Sequence, residues 1–249
     1  MNTAFRQRLK ARELLIGTLL SLPAPEVAEI MTEAGFDWLF LDAEHSALGT
    51  LDLQRMIQAA GATPCIVRVE ASGEVPIKKA LDIGAAGLIA PMVNSAEQAE
   101  QVVHWAKYAP QGTRGVGIGR AHGYGARFQE YVQQANDALA VIVQAEHIEA
   151  VKNIEAIVQV EGVDAVLVGP YDLSASLGRL GEVRHPKVIA AIDHVTQVCQ
   201  AAKMPLGIFG LTAEAVKPYI ERGYTFITVG VDAVFMSEAA KQTLGQLKK

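Results

Sequence analysis

The chain has 249 residues, 50% hydrophobic and only 20% charged, which excludes intrinsic disorder and leaves ample length for a buried core. Its 22 Lys and Arg against 27 Asp and Glu give a net charge of −5, and with 6% aromatics no nucleic-acid-binding surface is expected. Two cysteines, Cys65 and Cys199, make neither a disulfide framework nor a zinc cluster and point to a reducing, cytoplasmic setting.

Four basic residues, Arg6, Arg8, Lys10 and Arg12, precede an apolar run over 14–22 and imitate a secretory leader. Glu13 sits against that run, and the plainer reading is a first buried strand over 14–20. No stretch reaches the roughly 18 apolar residues needed to cross a bilayer, so no membrane partner is expected. Four later segments read alike: Ala34-Gly-Phe-Asp-Trp-Leu-Phe-Leu, Gly84-Ala-Ala-Gly-Leu-Ile-Ala, Glu161-Gly-Val-Asp-Ala-Val-Leu-Val and Arg222-Gly-Tyr-Thr-Phe-Ile-Thr-Val. Each sets a glycine where a helix would end in the left-handed conformation, then a short loop and an apolar strand. Three more strands, at 65–69, 139–144 and 205–209, keep the rhythm and bring the number to eight. Their nearly continuous apolar character is that of parallel strands covered on both faces. Amphipathic helices are predicted over 25–34, 50–60, 75–83, 95–108, 148–160, 186–202, 212–221 and 234–247, with helix starts at Ser95 and Thr212. Eight alternating units in this length predict one (β/α)8 TIM barrel over 1–249, with a doubly wound open sheet as the runner-up. Residues 110–136 break the rhythm as a long glycine-rich segment.

A barrel of this kind carries its site at the C-terminal ends of its strands. Glu146 and Asp172 fall there one repeat apart. Two close, unpaired carboxylates repel each other, and a hard divalent cation relieves the repulsion; the plainer alternative is that each caps the following helix. Arg68 lies inside a strand, where an always-charged guanidinium must find anions. It is read either as a pair with Glu70 or another strand-end acid, or as a clamp for a substrate carboxylate or oxyanion. His45 follows two acids at the end of the second strand, a sound place for a general base. His104, His185 and His194 are read as surface residues, while His122 and His147 stay open. All the lysines fall outside the strands, which argues against a Schiff-base mechanism. The stretch Arg114-Gly-Val-Gly-Ile-Gly-Arg120 has no preceding strand and no P-loop lysine, so it reads as a mobile loop or subunit contact rather than a nucleotide loop.

In order along the chain, Ala34-Gly-Phe-Asp-Trp-Leu-Phe-Leu-Asp-Ala-Glu-His45, Val67-Arg-Val69, Lys79-Ala-Leu-Asp-Ile-Gly84, Ala90-Pro-Met-Val93, Arg114-Gly-Val-Gly117, Val143-Gln-Ala-Glu146 and Glu161-Gly-Val-Asp-Ala-Val-Leu-Val-Gly-Pro-Tyr-Asp-Leu-Ser174 resemble the class II pyruvate aldolases of the HpcH/HpaI family. The resemblance implies a barrel of the phosphoenolpyruvate/pyruvate type and cleavage of 4-hydroxy-2-oxo acids to pyruvate, or a related 2-oxo acid, and an aldehyde through an enolate. By the same resemblance Glu146 and Asp172 would hold Mg2+, Mn2+ or Co2+ with no organic cofactor. Gln144, Tyr171 and Asp172 would line the oxo-acid pocket, Arg68 would stabilise the enolate oxygen, and His45, oriented by Asp82, would move protons. It further implies a homohexamer, a trimer of dimers, with the last helix packed on or exchanged with a neighbouring subunit. Tyr171 stands where relatives often have a small residue, and Arg120-Ala-His-Gly-Tyr-Gly125 also departs from several members; both are expected near the aldehyde half. The alternatives are a malyl-CoA or citramalyl-CoA type lyase, which wants a basic groove such as Arg114, Arg120 and Arg127 could offer, and a non-catalytic barrel that binds an oxo acid.

Overall fold

A computed structural model describes residues 4–248. Among them eight parallel strands, β1 (Leu15–Leu20), β2 (Trp38–Asp42), β3 (Cys65–Arg68), β4 (Gly87–Ala90), β5 (Ala140–Ala145), β6 (Ala165–Val168), β7 (Leu206–Gly210) and β8 (Phe226–Val231), pair in chain order and close β8 onto β1. The closed barrel replaces the open-sheet alternative. The helices are α1 (Ala4–Lys10), α2 (Pro25–Glu33), α3 (Thr50–Ala59), α4 (Glu74–Asp82), α5 (Ala96–Ala106), α6 (Phe128–Ala138), α7 (Ile148–Lys152), α8 (Ile154–Ile157), α9 (Pro170–Ser176), α10 (Pro186–Ala201), α11 (Ala213–Glu221) and α12 (Asp232–Leu247). Ser95 and Thr212 cap α5 and α11, accepting from the N–H groups of Gln98 and Ala215.

Every residue of β2 to β6 is buried, which is why those strands read as unbroken apolar runs. One cluster fills the barrel interior with Leu15, Leu19, Trp38, Phe40, Ile66, Ile142, Leu167 and Phe226; a larger one lies between strands and helices. Trp38 and Phe226 stack at 4.2 Å between centroids. Gly17 makes room for them, since a Cβ there would lie 2.4 Å from the Trp38 indole.

Four departures from the predicted elements have physical causes. Residues 4–10, read as a leader-like start, form α1, whose Phe5 and Leu9 enter the interior cluster and stop the lower end of the barrel. The predicted helix over 148–160 is broken at Asn153 into α7 and α8. The glycine-rich 110–136 segment contains a short 3-10 turn at Arg120–His122 and most of α6. α9 was not anticipated; it starts with Pro170, whose fixed φ suits a first helical position. α12 makes its main contacts with the ends of β1 and β8 only, and Val234, Phe235, Met236, Leu244 and Leu247 are exposed along it. Among the described residues no helix is long and apolar enough to cross a membrane.

Candidate active site

The register of β2 against β3 sets Asp42 beside Arg68 at the upper rim. The Asp42 carboxylate accepts from Arg68 Nε at 2.9 Å and Nη2 at 2.7 Å, a bidentate clamp. The same carboxylate accepts the backbone N–H groups of Glu44 and His45 at 3.1 and 3.3 Å, so one side chain fixes both the guanidinium and the loop after β2. The Arg68 guanidinium lies 5.2 Å from the Phe40 ring centroid. Burial would lower its pKa, but Asp42, Glu44 and Glu146 outweigh burial and raise it, so the group stays charged. Its Nη1 has no protein partner among the described residues.

Glu44 Oε2 stands 3.2 Å from Arg68 Nε and 3.6 Å from His45 Nε2, yet this buried oxygen forms no true hydrogen bond. Burial pushes the Glu44 carboxyl above the usual carboxylate range; Arg68 and His45 oppose that, while Asp42 and Asp172 add to it. The His45 side chain is 62% exposed on the rim.

On the facing wall, Glu146 is buried at the end of β5. Its Oε1 accepts the Met92 N–H at 2.8 Å, and its Oε2 pairs with Gln144 Nε2. Burial pushes its pKa up to about 7, against the Met92 hydrogen bond and Arg68 and with help from Glu44 and Asp172. Gln144 Oε1 is buried without a partner. Gly169, just past β6, has to be a glycine: a Cβ would sit 2.8 Å from Glu146 Cβ and 2.9 Å from Gln144 Nε2. Asp172 is exposed in the first turn of α9 and makes no ion pair among the described residues. His45, Arg68, Gln144, Tyr171 and Asp172 line one cavity of about 150 Å³, floored by Leu19, Phe40 and Leu167 and walled by Phe209.

The donor set fits a hard cation. Glu146 is a buried carboxylate near two other acids, Gln144 supplies an orphaned oxygen, and Asp172 is free. Among the described residues no three His, Cys, Asp or Glu side chains converge at metal-binding distance, so protein oxygens alone would leave positions for waters and substrate.

The description HpcH/HpaI aldolase/citrate lyase fits residues 16–239 as a family match. The chain belongs to this family. It is 42% identical over 246 residues to a 4-hydroxy-2-oxo-heptane-1,7-dioate aldolase of Klebsiella pneumoniae, covering 97% of this chain and 92% of that one. It is 40% identical over 253 residues to a hydroxypyruvate/pyruvate aldolase of Cupriavidus necator, covering 100% and 93%. Among solved structures, an HpcH/HpaI aldolase/citrate lyase family protein from Burkholderia cenocepacia superposes with a TM-score of 0.96 at 37% identity, covering all of both chains. As a member of an aldolase/lyase family the chain is an enzyme of the lyase class.

Within this HpcH/HpaI chain the structure brings six of the seven expected site residues to the mouth and leaves out Asp82. Asp82 ends α4, which runs from the mouth back to the lower end of the barrel, and its Oδ1 accepts from Arg114 Nη2 at 2.6 Å. It does not orient His45 in its own chain, whose imidazole neighbours Glu44 instead. The expectation that Arg120 to Gly125 lies near the aldehyde half is corrected for the same reason: the segment follows a helix rather than a strand and packs at the lower end. There Arg120 Nη1 donates to Ile83 O at 3.0 Å, and the buried His122 ring accepts the Gly125 N–H on Nδ1 at 3.0 Å and donates from Nε2 to Gly117 O at 2.8 Å. His147 caps α7 by accepting the Glu149 N–H. Lys107 is buried, but its Nζ donates to Asn136 O and Leu139 O at the lower end, where burial pushes its pKa down to about 8.

The Arg68 partner is Asp42, a residue singled out only as part of the strand-end run, and not Glu70. Asp42, Glu44, Met92 and Gly169 are the site residues that sequence reasoning missed. Its place at the end of a strand makes Asp42 one of several candidate partners in the sequence, and only the register of β2 against β3 singles it out. For Met92, whose φ of +54° aims its N–H at Glu146, no sequence signal existed.

Proposed function

We propose that this chain is a divalent-metal-dependent pyruvate aldolase, its residues 1–249 acting as one barrel domain, that reversibly cleaves 4-hydroxy-2-oxo acids to pyruvate, or a related 2-oxo acid, and an aldehyde. The observation that carries this reading is Arg68: a charged guanidinium, clamped by Asp42, with one nitrogen left over at a cavity whose opposite wall holds Gln144 above Glu146. In the cleavage direction the substrate's C4 hydroxyl gives up its proton, the C3–C4 bond breaks to release the aldehyde, and the electron pair passes through C3 and C2 onto the 2-oxo oxygen. Arg68 Nη1 is the preformed donor for that oxygen, and such preorganised charge acts most strongly where water is excluded. His45, exposed on the rim beside Glu44, carries the proton from the hydroxyl and returns one to C3. The first-turn N–H groups of Tyr171 and Asp172 hold the substrate carboxylate. Glu146 and Asp172 would hold Mg2+, Mn2+ or Co2+, which would supply a Lewis acid at the oxo-acid end. No lysine lines the cavity among the described residues, in line with this assignment.

A homohexamer, a trimer of dimers, with α12 exchanged between subunits is supported by the exposed apolar side chains of α12 and by the partly exposed Ile16 and Val229 of β1 and β8. Two buried free thiols suit the cytoplasm. The acyl-CoA reading loses its basic groove, since Arg114 is buried against Asp82 and Arg120 faces the lower end. A retro-aldol panel of 4-hydroxy-2-oxo acids tests the proposal through pyruvate release. We expect release to stop after exhaustive chelation and to return with Mg2+ or Mn2+, and borohydride to trap no covalent adduct; release that survives chelation overturns the metal role.

A further inference from the structure

A cavity of about 440 Å³ opens at the lower end of the barrel, opposite the mouth. Its walls include the residues that lead into β3, β4 and β5, and the segment from Arg120 to Arg127 forms its rim. The guanidiniums of Arg120 and Arg127 belong to its lining, and no aspartate or glutamate does, in a chain whose net charge is −5. Arg6, Arg8, Arg68, Arg114, Arg179 and Arg222 each pair with an acid. Arg120 instead spends Nη1 on Ile83 O at 3.0 Å. Its other nitrogens, like the whole Arg127 side chain, make no hydrogen bond or ion pair among the described residues. Arg6, Lys10 and Lys107 line another cavity at this end, but Glu100, Asp137, Glu161 and Asp164 line it too, so its charges cancel.

The rim has a fixed shape. Gly123, Tyr124 and Gly125 are left-handed in succession, with φ of +65°, +54° and +101°, a conformation that is costly for a tyrosine. The His122 ring holds the bend by accepting the Gly125 N–H at 3.0 Å. The bend leaves Tyr124 64% exposed at the cavity. Arg127 folds back over Gly123, where a Cβ would lie 3.5 Å from its Nη2, and the Gly123 N–H donates to Arg120 O at 2.8 Å. We infer that this cleft binds a small phosphomonoester, with the phosphate between Arg120 and Arg127 and the organic part against Tyr124. Two permanently charged, planar guanidiniums match a phosphate dianion, whose free oxygens accept in pairs, whereas a single carboxylate would leave half of that charge unmatched. The volume is larger than a bare phosphate needs and suits a small organic ligand, for which Tyr124, Ile57 and Leu139 supply apolar surface. None of the residues around this cleft lines the mouth, so the site is separate from the proposed aldol chemistry.

The test is calorimetric titration of the full-length protein with phenyl phosphate, inorganic phosphate and phenol, in Mg2+ and saturating pyruvate so that the mouth is filled. We expect phenyl phosphate to bind about 3- to 10-fold more tightly than inorganic phosphate, the gain from one aromatic contact, and phenol not to bind. Arg127→Ala should weaken phenyl phosphate by about tenfold or more, the usual loss for a charge-assisted hydrogen bond. Arg127→Lys should restore part of that loss, and Tyr124→Ala should bring phenyl phosphate level with inorganic phosphate. Pyruvate release from a 4-hydroxy-2-oxo acid should be the same in the parent and in all three variants. No heat of binding at millimolar phenyl phosphate, or equal affinity in the parent and Arg127→Ala, overturns the inference and leaves the aldolase reading untouched. Binding that is lost in Arg127→Ala only together with a smaller assembly in light scattering also overturns it, since the arginines would then serve a contact between copies of the chain.

Discussion

The two ends of the barrel handle charge in opposite ways. At the lower end each buried charge has a partner beside it, although Arg114 Nε and Nη1 make no hydrogen bond and stack against Tyr108 instead. Arg6 donates to both oxygens of Asp164 at 2.9 Å, Asp164 also accepts the Val141 N–H at 3.0 Å, Arg114 meets Asp82 at 2.6 Å, and Lys107 is tied to two carbonyls. At the mouth Asp42, Glu44, Glu146 and Asp172 gather around a single buried cation, Arg68, and only Asp42 is fully satisfied. The exception at the mouth sharpens the rule: Asp232 is 2% exposed but accepts from Ser21, Leu22 and Ala233, so it is a structural anchor without spare capacity. Opposite charges or carbonyls beside each buried charge mark the end that holds the fold, and acids without such partners mark the mouth, where the proposed function places a cation and an anionic substrate.

The contrast can be broken in four places. Arg68→Ala should lower kcat by about 10²- to 10³-fold in a pyruvate-release assay, the usual cost of losing one preorganised oxyanion donor, and a loss below threefold would remove Arg68 from the chemistry. Asp164→Ala at the other end should cost about 3–5 kcal/mol of stability in denaturant titration, because it leaves Arg6 uncompensated, while kcat of the folded fraction stays within about twofold, as expected of a change remote from the site. Glu146 gives a pH test of the chelated protein. Its folded-state pKa of about 7 lies above the ordinary 4.5, so the folded form binds this proton more tightly and the stability it contributes is full below about pH 4.5 and lost as pH rises to about 7. The interval corresponds to about 3 kcal/mol at most. Thermal melts of chelated protein should fall across that window, and Mn2+ should restore the upper end; a flat profile would mean that Glu146 carries its charge unopposed. The smallest effect is expected for Gly169→Ala, whose methyl displaces Glu146 and Gln144. Mn2+ affinity measured by calorimetry should weaken by about 10- to 100-fold with little change in melting temperature.

Much of the fold was legible because parallel barrel strands are buried on both faces and appear as short apolar runs after glycine turns. The lower end was less legible. Arg6 and Arg8 look like a leader until Asp164 and Asp37 are brought to them, and His122 looks idle until the glycine loop wraps around its ring. At the mouth, Glu146 and Asp172 could be found from strand-end position alone. The choice of Asp42 over Glu70 for Arg68 could not, because it depends on the stagger between β2 and β3, which apolar runs of similar length leave open. Gly169 shows the same limit: only the side chains facing it explain why no methyl fits. Asp82 was expected from resemblance and not from its own position, and within one chain it serves the lower end.

The stopper formed by α1 bears on how the chain is made. Phe5 rests against Trp38 and Phe226, with ring centroids 6.4 and 6.3 Å away, and Arg6 finds its acid 158 residues later. α1 therefore cannot complete its docking until β8, which carries Phe226, is in place, and closure of the barrel and seating of its base become a single late event. Until then the nascent chain carries unpaired strand edges at both of its ends, and that interval, more than any weakness in the finished molecule, is its window of exposure to aggregation.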